Sequence, residues 1–175
     1  MIVVSNTTPL ISLSLLNQLS LLEIIFKEIH IPVEVYEELV IKGQREHGAK
    51  EISKSKWIII HRVFREDKSE ALLKLDSADA QTIILAEDLK ANLVLLDDKD
   101  ARHAAKAKGI KTLGTVGILM VAFKHRLIPS LNTVEEYIKY LNDKGQWVDE
   151  SVFEKALELE KIGYYKKFLK CNFNS

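Results

Sequence analysis

LVLLDDKDARHAAKAKGIKTLGTVGIL, residues 93–119, decides the fold class. Its apolar opening, a strand over Asn92 to Leu96, is too short for a helix and is cut off by acids. Ala101 to Lys108 follows as a helix, Lys111 to Leu113 as a second short strand and Val116 to His125 as a second helix, with Gly109 and Gly114 serving turns. Immediately upstream, Ser77 to Leu89 is a helix opened by Asp76. Strand and helix alternating at this pitch predict an α/β chain of three layers, α/β/α, with a central parallel sheet.

Moving outward, the amino-terminal half repeats the alternation. Met1 to Ser5 is rich in Ile and Val and too short for a helix, hence a buried strand. Thr8 is expected as the N-cap of a helix whose first residue is Pro9, since proline has no N–H to lose there. The leucines of residues 10–19 make that helix core, and it resumes over Leu21 to Phe26. Glu28 to Ile31 is a second strand; Pro32 starts a helix, Val33 to Ile41, ended by Lys42 and Gly43. Gln44 to Ser55 is polar surface, Trp57 to His61 a strand, and Arg65 to Lys68 a charged stretch. From Leu131 onward only helices are expected, with Val134, Tyr137, Ile138 and Leu141 on one stripe and Val152, Phe153, Ala156, Leu159 and Ile162 on another. Residues 1–128 thus form the α/β unit and 129–175 a helical extension packed on the same domain, within the size of one core.

The 25 basic and 25 acidic residues cancel, so any polyanion must meet a local patch rather than a general field. Cys171 is the only cysteine, which excludes an internal disulfide framework and a cysteine-rich zinc site and fits a reducing compartment, with the cytoplasm as the expected location. There is no basic leader, and no apolar run approaches the ~18 residues of a membrane helix, so no membrane partner is expected.

In open α/β sheets ligands gather outside the carboxyl ends of the strands. The polar residues there are Asn6 after the first strand, and Asp97, Asp98 and Asp100 after Leu96. Asp79 lies in the first turn of the preceding helix, and Glu37 and Glu38 in the helix after Pro32. Carboxylates brought together raise one another's pKa unless a divalent ion neutralises them, and oxygen ligands suit Mg2+ or Mn2+. Each acid also has a local role open to it. Asp79 suits the helix dipole, Asp97 or Asp98 suits the cap of the helix near Lys99, and Glu38 suits an ion pair with Lys42, opposite the arc of Val33, Val35, Tyr36, Leu39 and Val40.

As a set, VSNTTPLISL at 4–13, HIPVEVYEEL at 30–39, LDSADAQTIILA at 75–86 and residues 93–119 resemble the PIN-domain family, particularly its small prokaryotic branch, which includes relatives of ribonuclease toxins. The resemblance implies metal-dependent RNA hydrolysis, a Mg2+ or Mn2+ cofactor and a partner antitoxin; a homodimer is also expected, with the leucine-rich helices at 10–26 and 116–128 and the amphipathic tail able to supply a dimer face or an antitoxin groove. Carried over residue by residue, it puts the family's four acids on Asn6, Glu38, Asp79 and Asp97 or Asp98, with Asp100 a further candidate ligand. Glu38, Asp79, Asp97 and Asp98 would be the catalytic acids, and Thr7 or Thr8 a hydrogen-bonding residue of the site. Asn6 departs from the aspartate that family members commonly carry; its amide oxygen can ligate a hard cation but brings no charge.

For RNA contact, Lys99 and Arg102, with His103, Lys106 and Lys108, lie on the helix after the acids, and Lys166, Lys167 and Lys170 form a second patch. A haloacid-dehalogenase-like phosphatase would open its domain with the Leu93 to Asp100 pattern, which here comes late. Dinucleotide binding would need a glycine fingerprint where Ser5 to Pro9 has no glycine. The rival that remains is a PIN-fold module that binds protein or RNA without cleaving.

Overall fold

Because successive side chains of a strand go to opposite faces, the strands split the core in two. Val3, Ile29, Ile31, Leu93, Leu95 and Leu113 join one buried cluster, and Val4, Val94 and Leu96 join the other. Both faces being apolar, the runs are nearly continuous, as in all-parallel sheets covered on both sides. The computed structural model describes residues 1–42, 48–65, 67 and 69–165. Its strands are β1 (Val3–Ser5), β2 (Ile29–Pro32), β3 (Ile58–His61), β4 (Leu93–Leu95) and β5 (Thr112–Leu113), in the order β3-β2-β1-β4-β5 and parallel throughout. This is the three-layer α/β/α arrangement that the alternation predicts.

The first face carries α1 (Thr7–Leu15), α2 (Ser20–Phe26), α3 (Val33–Tyr36), α4 (Ala49–Lys54), α8 (Thr115–Lys124) and the late helices α9 (Leu131–Asp143) and α10 (Glu150–Lys161). The second face carries α5 (Glu70–Leu73), α6 (Ser77–Asp88) and α7 (Lys99–Ala107), with the small Ala101, Ala104 and Ala105 letting α7 lie close. Val134, Ile138, Leu141 and Ala156 are buried in the same cluster as β1 and β4, so α9 and α10 share the core of the α/β unit. Among the described residues no single helix is long and apolar enough to cross a membrane.

Four details differ from the expectations. Helix α1 starts at Thr7, with Asn6 in extended conformation at the N-cap position and Pro9 third rather than first; proline is tolerated there too, because the first turn's N–H groups have no intrahelical acceptor. The helix after Pro32 changes to a π-helix over Glu37–Lys42, whose wider i→i+5 turn breaks the helical wheel that sets Glu38 opposite the apolar arc. Val152, in the first turn of α10, and Ile162, past the helix end at Lys161, are both exposed; Ala156 is the buried residue of that stripe. The short α5 lies between the charged stretch of Arg65 to Lys68 and α6, where the sequence reading gives no element, and Leu72 packs it against α7. The expected Gly43 cap, the basic patch of Lys166, Lys167 and Lys170, and Cys171 lie outside the described residues.

Candidate active site

In the order β3-β2-β1-β4-β5, the chain runs outward from β1 to β3 and then returns to the other side of β1 for β4. The crevice between the carboxyl ends of β1 and β4 is therefore the topological switch point, where open α/β sheets bind ligands. Asn6 stands in it. Its backbone N–H donates to the Leu95 carbonyl at 3.1 Å, which ties the end of β1 to β4.

Asn6 is only 6% exposed, and its side chain does not cap α1. Its Nδ2 donates to Oδ1 of Asp79, while its Oδ1 is buried without a hydrogen-bond partner. Asp79 arrives there from the first turn of α6, where its own backbone N–H donates to the Asp76 carboxylate at 2.8 Å. The Asp79 carboxyl is pushed up to about 7, first by burial and then by the negative charges of Asp76, Asp98 and Glu38. Those four acids thus come from three different elements to within electrostatic reach of one another.

Next to Asn6, the Thr7 hydroxyl donates to Oε2 of Glu38 at 2.6 Å. Glu38 remains open to solvent and reaches this bond from the π-helical turn, so of the two adjacent threonines it is Thr7 that meets an acid. π-turns inserted into helices frequently accompany functional sites.

The paired aspartates after β4 divide their work. Asp98 caps α7, accepting from the Ala101 N–H at 2.8 Å, and is exposed. Asp97 gives both oxygens to Thr115, one to its N–H at 2.7 Å and one to its hydroxyl at 2.5 Å. Asp97 thereby caps α8 from across the sheet, where the formal N-cap residue, Gly114, has no side chain to do so. A Cβ on Gly114 would lie 2.7 Å from Oδ1 of Asp97 and 3.4 Å from Nη1 of Arg102. Burial pushes the Asp97 carboxyl above its ordinary value, opposed by the two Thr115 bonds and by the Arg102 charge.

Asp100, Lys99, His103 and Lys106 are exposed along α7. Arg102 instead turns in towards Asp97 and Gly114, and Lys108 is held by Asp67 at 2.7 Å and Glu87 at 3.0 Å. Asp76, which the sequence marks only as the residue that opens α6, and Thr115, which sequence reasoning left out, hold Asp79 and Asp97 in place. The D-x-x-D spacing of Asp76 and Asp79 signals the first; nothing local signals the second.

Among the described residues, no group of three or more His, Cys, Asp or Glu side chains is close enough to hold a metal ion as the side chains stand. The donors nonetheless suit a hard divalent cation in kind. All are oxygens, and the unpaired buried Oδ1 of Asn6 is an acceptor that a cation would satisfy. A family model described as a PIN domain matches residues 2–161, which extends through α9 and α10. No curated protein matches the chain.

Proposed function

The chain belongs to the PIN-domain family, a nuclease-type family whose members generally use divalent metals, and from that premise we propose that it is a Mg2+- or Mn2+-dependent endoribonuclease. The observation that carries the reading is the convergence of Asn6, Glu38, Asp79 and Asp98 on the switch point between β1 and β4. Asn6 Oδ1, Asp79, Glu38 and Asp98 would hold the ion. A bound divalent ion supplies a water of lowered pKa and neutralises charge on the phosphate oxygens. The chain's own residues do the rest: Thr7 fixes the Glu38 carboxylate, Asp76 fixes the turn that presents Asp79, and Lys99, exposed beside Asp98, offers a cation to the RNA backbone. Its resemblance to ribonuclease toxin relatives further supports a toxin acting as a homodimer in the cytoplasm, restrained by an antitoxin.

A second reading, a PIN-fold binding module that has given up cleavage, is favoured by one observation: an amide stands at position 6, hydrogen-bonded to Asp79. Cleavage of a mixed set of labelled RNAs separates the two. The nuclease reading expects cutting with Mn2+, loss on chelation, and a loss of at least 100-fold in Asp79→Ala. RNA binding with no cutting by the wild type at any Mn2+ concentration would overturn it in favour of the binding module.

A further inference from the structure

We infer that the Asn6 amide stands in for the cation in the metal-free protein, and that its end-for-end turn is one of the movements that admit an ion; this rests on the metal-centred reading above. Every acid at the crevice has a donor of its own: Asp79 has the Asn6 amide, Glu38 the Thr7 hydroxyl, Asp98 the Ala101 N–H, and Asp97 the Thr115 N–H and hydroxyl. The cluster therefore holds together without an ion, which four acids lacking donors would not do. Asn6 is the member that cannot serve both states in one orientation. Its NH2 end faces the Asp79 carboxylate and supplies partial positive charge, while the end that can ligate a hard cation, Oδ1, is buried without a partner.

The backbone of Asn6 is fixed by its N–H bond to Leu95, so its own part in the exchange is a half-turn about the terminal side-chain bond; the carboxylates of Glu38 and Asp98 then draw in, since as the described side chains stand no three acids are close enough to hold an ion. That turn breaks the bond to Asp79 and points the oxygen to the ion. An aspartate at the same position would reverse both consequences. Without metal it would add a buried negative charge beside Asp79; with metal it would be a full ligand at no cost in broken bonds.

Thermal unfolding of the full chain at pH 8, followed across a Mn2+ titration, tests this without any activity readout. Asn6→Asp is expected to melt below the wild type without metal, and to reach half of its Mn2+-induced rise in Tm at a concentration at least tenfold lower. Equal midpoints in the two proteins, or an Asn6→Asp that is as stable as the wild type without metal, would overturn the inference while leaving the metal site intact. If neither protein responds to Mn2+, the metal-centred reading falls with it. Should Asn6→Asp fail to fold, the wild type still decides: the Asn6 side-chain NH2 resonances must shift as Mg2+ is added, and resonances that stay in place while Mg2+ binding is detected elsewhere in the spectrum contradict the turn.

Discussion

At the scale of single residues the sharpest consequence belongs to Asp79. Its carboxyl is pushed up to about 7, by burial first and by Asp76, Asp98 and Glu38 after it, against about 3.9 in an unfolded chain. Between those values the folded protein keeps a proton that the unfolded chain releases, so this group's contribution to stability falls as pH rises from about 4 to about 7 and is level above that. His30, His61 and His125 work the other way: burial lowers each of them, so the stability they contribute is lost as pH falls through the histidine range. The two trends oppose each other in the wild type, and only a difference isolates Asp79. We expect Asp79→Asn, whose side-chain oxygen can still accept from Asn6, to be more stable than the wild type by roughly 1–3 kcal/mol at pH 8 in urea denaturation. The gain should shrink steadily towards pH 5; a gain independent of pH would contradict the assignment. The same residue explains why position 6 matters, since an amide there gives a buried carboxyl the donor it otherwise lacks.

At the scale of elements, the parts read correctly from sequence are those whose signals are local. Helices α6, α7 and α8 and strands β4 and β5 end within a residue or two of their expected bounds, because short apolar runs, Asp76, Gly109 and Gly114 mark them. The start of α1 was set elsewhere: Asn6 bonds to Leu95, a residue distant in sequence, and Pro9 is accommodated wherever it falls in the first turn. The π-helical turn over Glu37–Lys42 leaves no periodic trace, yet it carries Glu38 to Thr7. Candidate acids were legible from the ends of strands, whereas the split between Asp97 and Asp98 was not, because Thr115 belongs to a helix that only the sheet order brings beside β4. Asp97 and Thr115 join the end of β4 to the start of α8, so the pair should behave as a structural clasp. Thr115→Val keeps the backbone N–H bond and the shape but loses the hydroxyl donor, and should cost about 1–2 kcal/mol in urea denaturation. Its Mn2+-dependent rise in Tm should match that of the wild type; loss of the metal response would place Asp97 at the ion instead.

At the scale of the whole molecule, the fold's contribution is to set β1 and β4 side by side, so that acids far apart in the chain meet at one crevice. Around it the surface charge is organised rather than merely balanced. Arg65 pairs with Glu87 at 2.7 Å and Asp88 at 2.8 Å, and Lys108 with Asp67 and Glu87, which ties the segment after β3 to α6 and α7. These pairs leave Lys99 and Lys106 as the exposed cations of α7, on the helix that Asp98 caps. At the far edge of the sheet, His30 and His61 share a 2.8 Å contact between β2 and β3, which requires at least one of them to be neutral. None of this places an ion; the proposed one binds where Asn6, Glu38, Asp79 and Asp98 converge. Anomalous diffraction from crystals soaked in Mn2+ would locate it. A single strong peak is expected within coordination distance of Asn6 Oδ1 and Asp79, with the amide turned over. A peak confined to any other cluster, or no peak at Mn2+ concentrations that raise Tm, would contradict it.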